Sequence, residues 1–520
     1  MTPHRAAAIA ALSLLAATPG MAETVTLTAR DGSFSVDGDY LGFDGEFFRI
    51  EAAAGRLTLD AARVVCDGAA CPDTENFVPD LRISAAPSAA DVLLPALIEA
   101  YSVRRGLTLL RERDGGQVVY ALTPDEGARP VLRLRVTGAE ADEALADLLA
   151  GAADMAVAER EALPREVALA EEGGRAALDE GRRLRVLALD GIVPLVAVAN
   201  PVTQIALDDL AAVAAGEVTN WSALGGPDAA IALHLPAEGT GFMQAVDQVL
   251  LAPRGLTAAD DAQRHATLQD LAQAVSADPN ALGVGSYAAQ GNAVPLSLSG
   301  PCGYVVDASE RELKTEDYPL TAPLYGYLPD YRIAAPAREF LAYLVSPAAQ
   351  PVIARAGLVD QFPRLVPLDD QGRRLANAID AAGQETRLED LQQMVRAIAG
   401  GDRLTVTFRF RDGSADLDAQ SVSNVALLAR ALERGLFDGR GLTFVGFTDG
   451  VGGAAANRDL ARERAAAVRD AVRNAARIDE GRVDLSVAAF GEALPMGCDE
   501  VPWGRRINRR VEVWLEGGYR

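Results

Sequence analysis

The residues Leu187–Gly226 read LALDGIVPLVAVANPVTQIALDDLAAVAAGEVTNWSALGG. With RLRV just before it, the first part is an almost uninterrupted apolar run, the pattern of a strand covered on both faces. ALDDLAAVAAGE then sets its apolar residues at helical spacing, and Gly216 supplies a stop. A doubly buried strand that feeds a helix is the unit of an α/β domain.

The alternation extends outward in both directions. Upstream, LRISA reads as a short strand, AADVLLPALIEAYSVRRG as a helix, and ADEALADLLAG as a second helix leading into ADMAVA. Downstream, IALHLP reads as a strand, FMQAVDQVLL as a helix, and AREFLAYLVSPAAQPVIARAGLV as helical text that stops near Gly357. The α/β text therefore spans 76–365. Before it, 23–75 carries short alternating runs broken by Gly and Asp, such as VTLTARDGSFSV, which predict a small β-rich module. No chemistry is legible in that module, and packing or contact with the next domain is its expected role. After it, 366–400 is polar and helix-rich, the composition of a helical linker. A new β/α pattern begins at 401 and runs to 520. The fold class expected is an α/β multidomain chain with a β-rich start.

Composition narrows the function. Among 520 residues, 73 Asp plus Glu stand against 49 Lys plus Arg, a formal net charge of −24. Such a balance disfavours nucleic acid as a partner. The first 22 residues pair an early Arg with the apolar run Ala6–Ala17 and small residues at Gly20 and Ala22, the layout of a cleavable export signal. An exported chain favours disulfides. Cys66 and Cys71 enclose DGAA and are expected to bridge locally; Cys302 and Cys498 can pair only if their domains touch. Three His residues and non-repeating Cys spacings predict no metal site, and no Ser, His and acid combination announces an enzyme. No cofactor is expected.

Loops ahead of helices carry the remaining chemistry. SAAPSAADVLL puts Ser84 and Ser88 between a strand and a helix, where a hydroxyl can cap the helix or hold an oxyanion. AADMAVAERE places Asp154 after a helix. HLPAEGTGFMQAV offers the backbone of Gly239 and Gly241 and the hydroxyl of Thr240, with Glu238 in its middle and His234 at its start. In the C-terminal part, FVGFTDGVGGAAANRDL ends a strand at Phe447 and presents Thr448 and Asp449, and ARERAAAVRDAV carries Arg464 on the next helix. An Asp and an Arg together can clasp a zwitterion, the carboxylate taking an ammonium and the guanidinium a carboxylate.

RFRDGSADL, VGFTDGVGGAAANRDLARERAAAVRDAV, FGEALP and GRRINRRVEVWL, from about Thr405 to Leu515, resemble an OmpA-like peptidoglycan-binding domain in order and spacing. The resemblance implies an α/β sandwich in which Asp449 and Arg464 grip the diaminopimelate of the cell-wall peptide. It also implies that Asn457 starts the helix and that Arg510 closes the site. The family's usual His is Phe447 here and its helix Ser is Ala461. The segment around GEVTNWSALGG, with DPNALGVGSYA and EDYPLTAPLYGYLP, resembles a periplasmic phosphate-binding protein, a type II solute-binding fold of two lobes. That resemblance implies phosphate as ligand, held by Ser84 or Ser88, Asp154 and Thr240, and an ABC-type permease or other envelope protein as partner. His234 stands where the family loop has Arg, and Glu238 where it has Ser. The implied protein is a periplasmic binding protein attached to peptidoglycan that captures or senses phosphate or another small ligand. The alternative is a structural adaptor whose solute-binding fold serves as an interaction platform.

Overall fold

The computed structural model describes residues 23–125, 127–173, 178, 183–382, 386–411, 414, 416–479 and 481–516. The expected export signal lies outside them. Among the described residues no helix is long and apolar enough to cross a membrane. The chain divides into two compact units, 1–79 with 332–336, and 80–331 with 337–520.

The first unit is the β-rich module expected from the alternating text. Its five antiparallel strands lie in the order Gly55–Asp60, Phe47–Ala52, Ser35–Phe43, Thr24–Ala29, Val64–Asp67. Alternation places Val25, Leu27, Phe48, Ile50 and Val64 inside. The Cys66–Cys71 bridge is formed, with Cα atoms 5.8 Å apart. Arg332 belongs to this unit, its guanidinium lying 4.3 Å from the centre of the Phe47 ring and 2.7 Å from Asp44.

The second unit contains both larger folds. Its main sheet carries, in order, Gln263–His265, Ala232–Pro236, Ala281–Ser286, Leu184–Val196, Thr321–Tyr327, Met155–Ala158, Asp80–Ala85, Leu132–Gly138, Gln117–Thr123 and Thr108–Asp114. The apolar run that decides the fold, Leu184–Val196, is the strand that joins two lobes. Its first half pairs with Thr321–Tyr327 and its second half with Ala281–Ser286. Burial along nearly its whole length explains the missing alternation. The NW motif that follows has a packing reason. Asn220 caps the turn Trp221–Leu224 through its side chain, and the fully buried Trp221 donates from Nε1 to the Asn280 carbonyl at 2.9 Å.

The C-terminal sheet runs Leu365–Pro367, Asp402–Arg409, Arg510–Leu515, Gly441–Phe447, Asp484–Ala489. One face packs Leu442, Phe444, Val511 and Val513 against helices Ala419–Glu433 and Ala454–Ala475. Close approach there requires Gly446, because a Cβ would lie 2.1 Å from the Ala461 carbonyl oxygen. The other face, carrying Val445, Phe447 and Trp514, is covered by Ala378, Leu391, Met394 and Ile398. Those residues come from helices Gly372–Asp380 and Leu388–Ile398. The two helices of the stretch expected as a linker pack as a layer on this sheet.

The two folds share a core. Ala419, Met496, Trp503 and Ile507 of the C-terminal part join the same apolar cluster as Leu189 and Ile192 of the lobe-joining strand. Buried Arg403 donates to Asp317 at 2.6 and 3.2 Å, and Arg409 to the Glu316 carbonyl at 2.6 Å. Cys302 and Cys498, left open by the sequence, form a disulfide across this junction.

Candidate functional site

Three loops leave the C-terminal ends of the parallel strands Asp80–Ala85, Leu132–Gly138 and Met155–Ala158, where an open α/β sheet presents groups to a ligand. They carry Ser88, Glu140 and Glu159. The loop 237–240 of the other lobe meets them, and Gly239, at φ 80°, supplies the left-handed turn that aims the start of helix Gly241–Val246. The Gly241 N–H donates to Glu140 Oε2, and Ser88 Oγ to Glu159 Oε1. A Cβ added at Gly241 would come 3.1 Å from Glu159 Oε2 and 3.5 Å from Glu140 Oε2. The anion cradle read from the sequence is therefore filled by two carboxylates of the chain itself.

Of the residues read as oxyanion ligands, Ser88, Gly239 and Thr240 are brought to this place. Thr240 is engaged as helix cap, its hydroxyl donating to the Ala237 carbonyl at 2.8 Å and accepting from the Met243 N–H at 3.3 Å. Ser84 lies within its strand and donates to Asp147 at 2.7 Å. Asp154 lies at the opposite end of its strand from Glu159 and is held by Arg82 at 2.8 Å and by the Tyr331 hydroxyl at 2.5 Å. Glu238 is exposed and faces Arg264 at 3.5 Å. His234 is buried in mid-strand, stacked on His265 with Nδ1 2.9 Å from its Nε2. Burial, first, and His265 both push its pKa down. The sequence reading missed Glu140 and Glu159. Their signal was positional: each stands just past the last residues of a parallel strand.

Burial pushes the Glu159 carboxyl up to about 7, with Asp190 and Glu140 adding repulsion against the Ser88 hydrogen bond. The folded state keeps this proton after an unfolded glutamate has lost it. Its stabilising effect is complete below about 4.5 and disappears as pH rises through about 7. Glu159→Gln should therefore remove a loss of stability on the order of 3 kcal/mol between pH 4.5 and 8. Denaturant melts of both proteins at those two pH values check this; equal slopes would refute it.

The C-terminal constellation is built differently. Thr448 and Asp449 follow strand Gly441–Phe447, and the Thr448 N–H is fixed by the Gly491 carbonyl at 2.9 Å. Asn457, near the start of the long helix, donates to the Asp449 carbonyl at 3.3 Å and to Glu492 at 2.9 Å, holding the loop. Arg464, two turns further along, lies 5.0 Å from the Phe410 ring centre. Its Nε and Nη1 are buried with no hydrogen-bond partner among the described residues, as is Thr448 Oγ1. Burial and the charge of Arg509 press the Arg464 pKa down, and Asp449 works against them.

Arg510 is not at this site. It is fully buried on the other face of the sheet, donating to Glu512 at 2.8 Å and to the Leu494 carbonyl at 2.9 Å. The arginine beside Asp449 is Arg509, at 2.9 Å. One step along an extended chain reverses the side-chain direction, and the sequence reading took the wrong member of the pair.

The family model for the PBP superfamily domain matches residues 73–348, more than half of the chain. The chain belongs to the PBP superfamily. Beyond the PBP domain, the OmpA family model matches residues 409–509. The outer membrane porin F of Pseudomonas aeruginosa is 32% identical over 120 residues, 23% of this chain and 33% of the porin. The chain thus spans about a third of the length of that relative. An ABC-type phosphate transport receptor from Vibrio cholerae is 20% identical, covering 54% of this chain and 99% of the receptor with a TM-score of 0.41. The periplasmic domain of MotB from Helicobacter pylori is 18% identical, covering 24% of this PBP-superfamily chain and 77% of that domain with a TM-score of 0.20.

Proposed function

We propose that this protein binds peptidoglycan through Thr448, Asp449 and Arg464, and so holds its solute-binding fold at the cell wall in the periplasm. The observation that carries this is the Arg464 guanidinium, sunk beside Asp449 with two nitrogens that no described protein group satisfies. A zwitterionic amino acid such as diaminopimelate supplies what the pair lacks, a carboxylate for Arg464 and an ammonium for Asp449. Asn457 and Arg509 position the loop rather than grip the ligand. Retention of the full chain on insoluble peptidoglycan is the test.

For the solute-binding cleft, a phosphate set at the start of helix Gly241–Val246 would meet Glu140 and Glu159. A carboxylate at that range costs an anion on the order of several kcal/mol, and Glu159, protonated until about pH 7, adds to that cost only as it ionises. A small ligand other than free phosphate is the better reading of the cleft. The adaptor reading draws on two further observations: the helix start is already capped by Glu140, and the C-terminal fold is welded to the lobe-joining strand. A wall-bound, rigidly joined receptor also suits sensing or scaffolding better than shuttling to an ABC-type permease. Calorimetry of the full chain with inorganic phosphate at pH 7 should show no binding below millimolar concentration. Glu140→Ala with Glu159→Ser should bring binding into reach, by roughly 100-fold or more if about 3 kcal/mol of repulsion is removed. Micromolar binding by the unaltered protein would refute this reading.

A further inference from the structure

The lobes leave part of the cleft between them unfilled. A cavity of about 210 Å³ shares Glu159 with the cradle and is walled by Glu161 of the same lobe, by Gln248 and Val249 of the other, and by Ile192 of the lobe-joining strand. Arg506, on helix Pro502–Asn508 of the C-terminal fold, lines it too. The cavity therefore belongs to both folds of the chain.

Glu159 is the group that this cavity leaves unanswered. It is 8% exposed, its Oε1 accepts from Ser88, and its Oε2 has no hydrogen-bond partner among the described residues. The charges acting on it, Asp190 and Glu140, are both negative. Asp190 is answered by the Ser286 hydroxyl at 2.6 Å and by the N–H groups of Gly191 and Ala288 at 2.7 and 3.0 Å, and Glu140 by the Gly241 N–H. Among the described residues no Lys or Arg pairs with any of these three carboxylates. The guanidinium next to Glu159 is spent elsewhere: Arg160 donates to Glu166 at 2.8 and 2.9 Å and to Gln244 at 2.8 Å. A neutral occupant would leave the mutual repulsion as it stands, and an anion would add to it. A cation brought in by a ligand offsets it, and in so buried a place the gain is larger than at the surface.

We propose that this cavity takes a small organic ammonium compound, its positive group on Glu159 Oε2 and its apolar part against Ile192, Val249 and Pro323. This rests on the reading of the cleft as a site for something other than free phosphate, and it names the class of ligand.

Calorimetry of the full chain with butylamine, 1-butanol and inorganic phosphate is the test. The first two share a chain and differ in the charged end. At pH 8 butylamine should bind at least about 10-fold more tightly than 1-butanol, and Glu159→Gln should reduce that preference to less than about 2-fold. A second comparison needs no variant. An alkylamine keeps its proton up to about pH 10, whereas Glu159 titrates at about 7. Butylamine binding should therefore weaken by roughly 10-fold from pH 8 to pH 6, as Glu159 takes up its proton, while 1-butanol binding stays level. Burial raises Asp190 as well, and Glu159→Gln separates the two by removing the pH dependence if Glu159 carries it. If butylamine binds no better than 1-butanol while phosphate is silent, or if Glu159→Gln keeps the preference, the ammonium proposal is overturned and the reading against phosphate stands. Micromolar phosphate binding would overturn both.

Discussion

Arg464→Ala and Asp449→Ala should each abolish retention of the protein on insoluble peptidoglycan, weakening it by roughly 30- to 1,000-fold. That range corresponds to about 2–4 kcal/mol, the usual cost of truncating one member of a desolvated charged contact. The effect is large because the ligand group opposite would be left buried without its partner. Among the described residues no hydrogen-bond partner competes for Arg464 Nε and Nη1, which are already out of water. Asp449 differs, being shared with Arg509 at 2.9 Å, so a ligand ammonium joins an existing contact. Arg509→Ala should therefore weaken retention less than Asp449→Ala. Arg510→Ala should destabilise the fold instead, because its guanidinium answers Glu512 inside the sheet. A pull-down combined with a thermal melt separates the two classes. Full retention by both Arg464→Ala and Asp449→Ala would defeat the assignment.

Arg403→Met should be the most destabilising single change at the junction of the two folds, costing about 3–5 kcal/mol. Arg403 is 2% exposed, and Asp317 and Glu512 both lie within ion-pair distance of it, at 2.6 and 3.5 Å. Burial works against its charge, yet those carboxylates carry its pKa above the ordinary value. Burial alone would raise Asp317 too, but Arg403 and Arg374 hold it down at about 2. Because that value is depressed from 3.8, the stabilisation is present above pH 3.8 and is lost as pH falls toward 2. Removing Arg403 leaves Asp317 buried with less compensation. Asp317→Asn together with Arg403→Met should recover part of the loss, because a pair deleted whole leaves fewer uncompensated charges. Denaturation midpoints of the two variants against the unaltered chain provide the comparison; a loss below about 1 kcal/mol for Arg403→Met would overturn the view of this pair as a structural weld.

Much of this architecture was readable before any coordinates. Leu184–Val196 was legible as a doubly buried strand because burial on both faces erases alternation. The turn at Trp221 and the helix after Asp449 were legible because caps and glycines act over a few residues. Cys66 and Cys71 were legible as a pair because five residues of chain bring them together. What depended on side-chain direction was read less well. Asp154 was taken for a ligand group although Glu159, at the other end of the same short strand, faces the cradle. Arg510 was taken for Arg509. In both cases the error is a shift along an extended segment, where position decides which end or which face a side chain serves.

Local sequence, then, determined the two folds, the β-rich start and the loop ahead of helix Gly241–Val246, because each is specified by residue periodicity, turn chemistry or a motif within a few tens of residues. Tertiary structure alone decided that Glu140 and Glu159 occupy the cradle, that helices Gly372–Asp380 and Leu388–Ile398 form a packed layer, and that Cys302 finds Cys498 across 196 residues of sequence. Those outcomes depend on which surfaces meet. No local pattern encodes that meeting, since it is the shared apolar core and the buried Arg403–Asp317 pair, assembled from segments far apart, that bring the solute-binding fold and the C-terminal fold together.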